Sequence, residues 1–290
     1  MSNPTKDEVQ LSANGPEGTK RQSVKRKPSK GLVSAQGSRG SKKTKRTTKS
    51  QPLPNIEVKV DPQQPDEFDP IRPEEEYNVI FRPNAGPQTE FLASGEREVL
   101  YGGAAGGGKS YAMLADPLRF MGHSAFSGLL LRHTNEELRE LVWKSQEMYP
   151  KIWPGIKWSE RKMQWVAPSG ARLWFSYLDR DDDVLRYQGQ AFSWIGFDEL
   201  TQWHTRFAWD YMRSRLRSTA PDLPTYMRAT TNPGGPGHAW VKKMFIDPAP
   251  PNKSFNATDI ETGKTLAYPK GHSKEFQPLF KRRFIPAMLV

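Results

Sequence analysis

Along most of the chain, short apolar runs alternate with segments whose apolar residues recur at helical spacing. The runs Glu98–Tyr101, Ser127–Leu131, Gln164–Val166, Arg172–Tyr177, Ser193–Phe197 and Thr225–Thr230 are bounded by Gly, Pro and polar clusters and read as strands. Helices are expected at Ser110–Phe120, with Ala112, Met113, Ala115 and Leu118 apolar, at Asn135–Tyr149, with Leu138, Leu141 and Val142 on one face, and at Arg206–Ser214. Pro117 should end or kink the first of these after about two turns, because its ring clashes with the preceding turn. Pro168 and Gly170 mark a hairpin turn between two aromatic-rich strands. Strands alternating with helices imply an α/β fold with a mainly parallel sheet.

The pattern is absent before Tyr77. Residues 1–60 hold fourteen Lys/Arg against four Asp/Glu, in runs such as Lys25-Arg26-Lys27 and Lys42-Lys43-Thr44-Lys45-Arg46, with almost no large apolar residue. That composition predicts a disordered basic tail, followed by an acidic, Pro-rich linker over 61–76 and a folded domain over 77–290. Most of the net charge of +11 is a property of the tail. The tail suits contact with nucleic-acid phosphate or an acidic surface, and equally a solvated extension or a nuclear-targeting run. The absence of cysteine excludes disulfides, thiolate-bound zinc and a thiol nucleophile. The N-terminus lacks an apolar signal core, and no run approaches the ~18 apolar residues of a membrane helix, so a soluble, intracellular protein without a membrane partner is expected.

Three motifs carry chemistry. The first is Gly102-Gly103-Ala104-Ala105-Gly106-Gly107-Gly108-Lys109-Ser110, placed between an expected strand and an expected helix. Glycines at 103, 106, 107 and 108 let backbone N–H groups turn onto phosphates, Lys109 reaches the β/γ oxygens, and the Ser110 hydroxyl suits Mg²⁺. This predicts a nucleoside triphosphate site of the P-loop NTPase class. The second is Trp194-Ile195-Gly196-Phe197-Asp198-Glu199, an apolar strand ending in two carboxylates. Asp198 would serve the Mg²⁺ shell and Glu199 would activate the attacking water. The third, Ala229-Thr230-Thr231-Asn232-Pro233-Gly234-Gly235, follows a further strand, and its hydroxyls and amide suit sensing of the γ-phosphate. His123, His133, His204, His238 and His272 show no metal-ligand spacing.

The order Pro87-Gln88, GGAAGGGKS, Arg186-Tyr187-Gln188-Gly189, WIGFDEL and ATTNPGGPGHAW resembles the ATPase domain of the large terminase subunit of tailed bacteriophages, from about Tyr77 onward. The resemblance implies an additional-strand P-loop ATPase with a catalytic glutamate. It also implies a homo-oligomeric ring docked on a capsid portal protein in the host cytoplasm, driving double-stranded DNA into the shell while a small terminase subunit recognises that DNA. Carried across, Gln88 matches an adenine-contacting glutamine, and Gly103, Gly108, Lys109 and Ser110 the ATP and Mg²⁺ site. Asp198 and Glu199 match the metal-shell and catalytic carboxylates, and Thr230, Thr231 and Asn232 the motif coupling hydrolysis to movement. An arginine finger is implied as well: Arg186 is the first choice, with Arg132, Arg215 and Arg217 as alternatives. Some relatives carry an arginine inside the phosphate loop, where this chain has only Gly and Ala. The family's C-terminal nuclease has no counterpart in the sequence, so nuclease activity is not expected here: either the sequence is a fragment, or a separately encoded nuclease supplies cleavage, or the protein translocates without cutting. A helicase-like ATPase and a non-catalytic nucleotide-binding assembly subunit are the competing readings.

Overall fold

The computed structural model describes residues 80–103 and 106–287, so the expected tail (1–60), the linker (61–76) and the start of the folded segment at Tyr77 lie outside the described residues. The described strands are β1 (Glu98–Gly103), β2 (Ser127–Arg132), β3 (Lys157–Ser159), β4 (Gln164–Val166), β5 (Arg172–Tyr177), β6 (Trp194–Phe197), β7 (Tyr226–Thr231), β8 (Ser254–Asn256) and β9 (Lys281–Ala287). The α-helices are α1 (Pro87–Ala93), α2 (Lys109–Ala115), α3 (Asn135–Ile152), α4 (Phe207–Arg213) and α5 (His238–Val241).

The strands form one sheet in the order β3-β4-β5-β2-β6-β7-β1-β9-β8. The central run from β5 to β9 is parallel, and antiparallel β3–β4 and β8 flank it. Strand β7 lies between β6 and β1, the additional strand that separates the carboxylate-bearing strand from the strand feeding the phosphate loop. Central strands are apolar on both faces because both faces are covered. Successive residues therefore enter different cores: Leu129 and Leu131 of β2 pack with Ile195 and Phe197 of β6, whereas Leu130 packs on the other side with Trp194, Met113 and Leu138.

The six expected strands are present, within one or two residues at their ends. Helix α2 stops at Ala115 and the chain continues as a 3-10 turn over Asp116–Phe120, the break that Pro117 requires. Helix α3 runs past Tyr149 and through Pro150 to Ile152. Only the last turn feels the proline. It is held by Trp153 N–H donating to the Tyr149 carbonyl at 2.8 Å and by the buried Tyr149 hydroxyl donating to the Leu114 carbonyl at 2.8 Å. Strands β3, β8 and β9 were not expected. β9 is hidden in sequence by Lys281-Arg282-Arg283 and Pro286, yet it pairs with every residue of β1. β8 covers only its first three residues, so among the described residues Pro286, lacking an N–H, faces no strand on that edge. Among the clustered tryptophans Trp165 is buried against Tyr149, and Trp158 packs at an angle on Trp165 and edge-on to Phe175, while Trp143 is exposed on α3. Among the described residues no helix is long and apolar enough to cross a membrane.

Candidate nucleotide site at the carboxyl edge of the sheet

Parallel strands end at one edge of a sheet, and the register decides what meets there. Tyr101 stands beside Thr230, Phe197 beside Ala229, and Leu131 beside Phe197, so the residues leaving β1, β7, β6 and β2 converge. The loop leaving β1 is held from below: the Tyr101 hydroxyl donates to the Gly107 carbonyl at 2.5 Å. Gly108 has φ 66°, a conformation that favours glycine, and a Cβ there would lie 2.6 Å from the Gln88 side-chain nitrogen and push that amide aside. Lys109 opens α2 and is buried, with its Nζ 3.3 Å from the Gly103 carbonyl it donates to. Burial lowers the pKa of its ammonium, against the opposing pull of Glu199 and Asp198. Ser110 follows it on α2, half-buried.

Asp198 leaves β6 almost fully buried. Its Oδ2 accepts from Arg132 Nη1 at 2.7 Å and its Oδ1 accepts from the Thr230 hydroxyl. The Thr230 hydroxyl in turn accepts the Glu199 N–H at 3.1 Å, so one side chain of β7 fixes both acidic residues. Glu199 has φ 61°, a conformation that side-chain-bearing residues rarely adopt. Its Oε1 accepts from Asn232 Nδ2 at 2.6 Å and lies 4.0 Å from Arg132 Nη1. Burial and the neighbouring Asp198 raise the Glu199 pKa, with Arg132, Lys109 and Asn232 opposing. Beyond the carboxylates the exits of β6 and β7 are fastened together. The Thr231 and Thr201 hydroxyls are 2.8 Å apart, Gly237 N–H donates to the Thr201 carbonyl at 2.8 Å, and Trp240 Nε1–H to the Trp203 carbonyl at 2.9 Å.

A family model described as the N-terminal part of the terminase large subunit, T4-like-virus type, matches residues 100–269, which include all three motifs and the carboxylate cluster. The chain belongs to this terminase family. Among solved structures, the large terminase ATPase domain of Thermus phage P74-26 aligns at 11% identity and TM-score 0.46, over 75% of this chain and 86% of that one. The large terminase of a thermophilic bacteriophage, in complex with ADP, aligns at 17% identity and TM-score 0.42, over 52% and 39%. The N-terminal domain of the DNA packaging ATPase of bacteriophage phi29 aligns at 15% identity and TM-score 0.42, over 57% and 86%. No curated protein matches the chain in sequence.

In this terminase, Asp198, Glu199, Thr230 and Asn232 form one hydrogen-bonded cluster, and the two carboxylates act electrostatically on Lys109. Gln88 is buried behind the loop, its Nε2 donating to the Gly108 carbonyl at 2.8 Å and its Oε1 accepting the Asn84 N–H at 2.6 Å. It therefore ties Gly108 of the loop to the Asn84 backbone that precedes α1. Arg186 is not in the cluster. It is exposed, bonded to the Asp183 and Tyr177 carbonyls and stacked over the Tyr177 and Tyr187 rings. Arg215 stacks on Tyr211, and Arg217 reaches the Gln190 carbonyl at 3.5 Å. Arg132, ranked behind Arg186 in sequence, is the arginine in contact with the acidic pair. Its position at the end of a strand next to β6 was the only signal, and that adjacency is visible only once the strand order is known.

Proposed function

We propose that this terminase chain is an ATP-hydrolysing motor subunit that translocates double-stranded viral DNA into a capsid. The observation that carries this reading is the convergence of a buried lysine, two carboxylates and an amide on the mouth of a glycine loop, in a chain of a packaging-motor family. Gly103, Gly106, Gly107, Gly108 and Lys109 bind the triphosphate, and Gln88 keeps the loop in shape. Glu199, whose raised pKa suits a general base, takes a proton from water as its oxygen bonds to the γ-phosphorus and the bond to the β-phosphate oxygen breaks, releasing ADP. Arg186, facing solvent, is the candidate to complete a neighbouring copy's site. Thr230, Thr231 and Asn232 pass the change onward.

A hydroxyl and a carboxylate are hard oxygen donors, so Ser110 and Asp198 would suit Mg²⁺ and would hold it there. When bound, that ion supplies charge neutralisation at the β- and γ-phosphates. The partners are duplex DNA gripped through phosphate, further copies in a ring, a portal protein and a small terminase subunit, in the host cytoplasm.

Steady-state ATP hydrolysis by the purified chain, alone and with duplex or single-stranded DNA, tests the proposal. Turnover that rises most with duplex and disappears in Glu199→Gln while ATP binding persists is the expected result. A preference for single strands would favour a helicase-like enzyme, and vigorous hydrolysis by Glu199→Gln would remove the assignment of the base.

A further inference from the structure

Arg132 stands where β2 leaves the sheet, one position beyond the Leu131–Phe197 pair, and so beside Asp198. Its side chain is 13% exposed and reaches three carboxylates: Nη1 is 2.7 Å from Asp198 Oδ2 and 4.0 Å from Glu199 Oε1, and Nε is 3.6 Å from Glu137 Oε2. Each Asp198 oxygen is thus held by a group from a different neighbouring strand, Arg132 of β2 on one side and Thr230 of β7 on the other. Glu137 is itself fixed. Its Oε2 accepts from the Thr134 backbone and hydroxyl at the start of α3, and its Oε1 accepts from Gln202 at 2.8 Å, just beyond the acidic pair.

We propose that Arg132 is a positioning residue acting within its own chain, aligning Asp198 and Glu199 for hydrolysis, rather than an arginine donated to a neighbouring copy. Two adjacent buried carboxylates repel each other, and a guanidinium against both lets them stay close while fixing their direction. For Arg132 to reach another subunit it would have to give up both its 2.7 Å pair with the buried Asp198 and its contact with Glu137, and breaking a buried pair is unfavourable. The planar fork also ties the carboxylates to Glu137 and hence to α3, so the site is braced by an element outside the strands that carry it.

The inference rests on the hydrolytic reading of the site, and two measurements separate the fates of the two. The first needs no turnover: the thermal stabilities of Arg132→Ala, Asp198→Asn and the double variant of the full chain. A pair within one chain requires the double variant to melt no lower than Arg132→Ala alone, whereas additive losses overturn the proposal even if hydrolysis is confirmed. The second is kinetic. Arg132→Ala should lower kcat about 100-fold, the scale of a small misplacement, while affinity for a fluorescent ATP analogue stays within about threefold. Arg132→Lys, which keeps the charge and guards against a misfolded alanine variant, should regain about tenfold of that loss. Unchanged kcat in Arg132→Ala overturns the proposal, as does recovery of turnover on mixing Arg132→Ala with Glu199→Gln subunits, the mark of an arginine acting between copies.

Discussion

Thr230 carries more of the site than its size suggests. Its single hydroxyl donates to Asp198 Oδ1 and accepts the Glu199 N–H, and Glu199 is in a left-handed conformation that costs about 1–3 kcal/mol and persists only when its surroundings impose it. Thr230→Val keeps the shape and removes both bonds. Each buried group left unpaired costs about 1–3 kcal/mol, so the variant should unfold at clearly lower urea concentration and hydrolyse ATP poorly, whereas Thr230→Ser should stay near the parent in both assays. A valine variant with unchanged urea midpoint and turnover would mean that the hydroxyl fixes neither acid.

At the scale of elements, α3 begins with a reciprocal capping box in which the Thr134 hydroxyl accepts the Glu137 N–H and the Glu137 carboxylate accepts the Thr134 N–H. Thr134→Ala should cost about 1 kcal/mol by urea unfolding, the usual worth of an N-cap. Because Glu137 also lies against Arg132, the same variant should lower kcat a few-fold, and a stability loss with kcat untouched would show that the cap and the site are independent. What the sequence discloses follows from range. The six principal strands, the break at Pro117 and the triphosphate loop depend on neighbours in sequence, and Lys109, Ser110, Asp198 and Glu199 sit in short local patterns. β9 depends on a partner far away. Arg282 reads as a surface residue until its Nε is seen 2.7 Å from the buried Glu98 Oε2. Arg132 is obscure for the same reason, since only the adjacency of β2 and β6 brings it to the carboxylates.

For the molecule as a whole, Glu98 is a cornerstone at the opposite end of β1 from the phosphate loop. It is fully buried between Arg213 of α4 and Arg282 of β9, with Phe280 beneath both guanidiniums. Burial alone would raise its pKa, but the two arginines together hold it below the usual carboxylate value. A carboxyl depressed in the folded state stabilises the fold fully above the ordinary carboxylate range, and that contribution is lost as pH falls through its folded value. Glu98→Gln should therefore destabilise the chain by about 3–5 kcal/mol at neutral pH, since it leaves the buried Arg282 without its counter-charge and Arg213 with Asp210 alone. Chemical unfolding of parent and variant at pH 7 and at pH 3 should show the gap narrowing toward the acid side, and a gap that widens there would refute the ion triad.

The fastening of the β6 and β7 exits gives this edge of the sheet the character of a yoke. With Thr201 joined to Thr231 and Gly237, and Trp203 to Trp240, the segment after Glu199 and the segment that becomes α5 form a single harness. The two exits thus form one hydrogen-bonded unit, so that a substitution loosening either segment would loosen its partner as well.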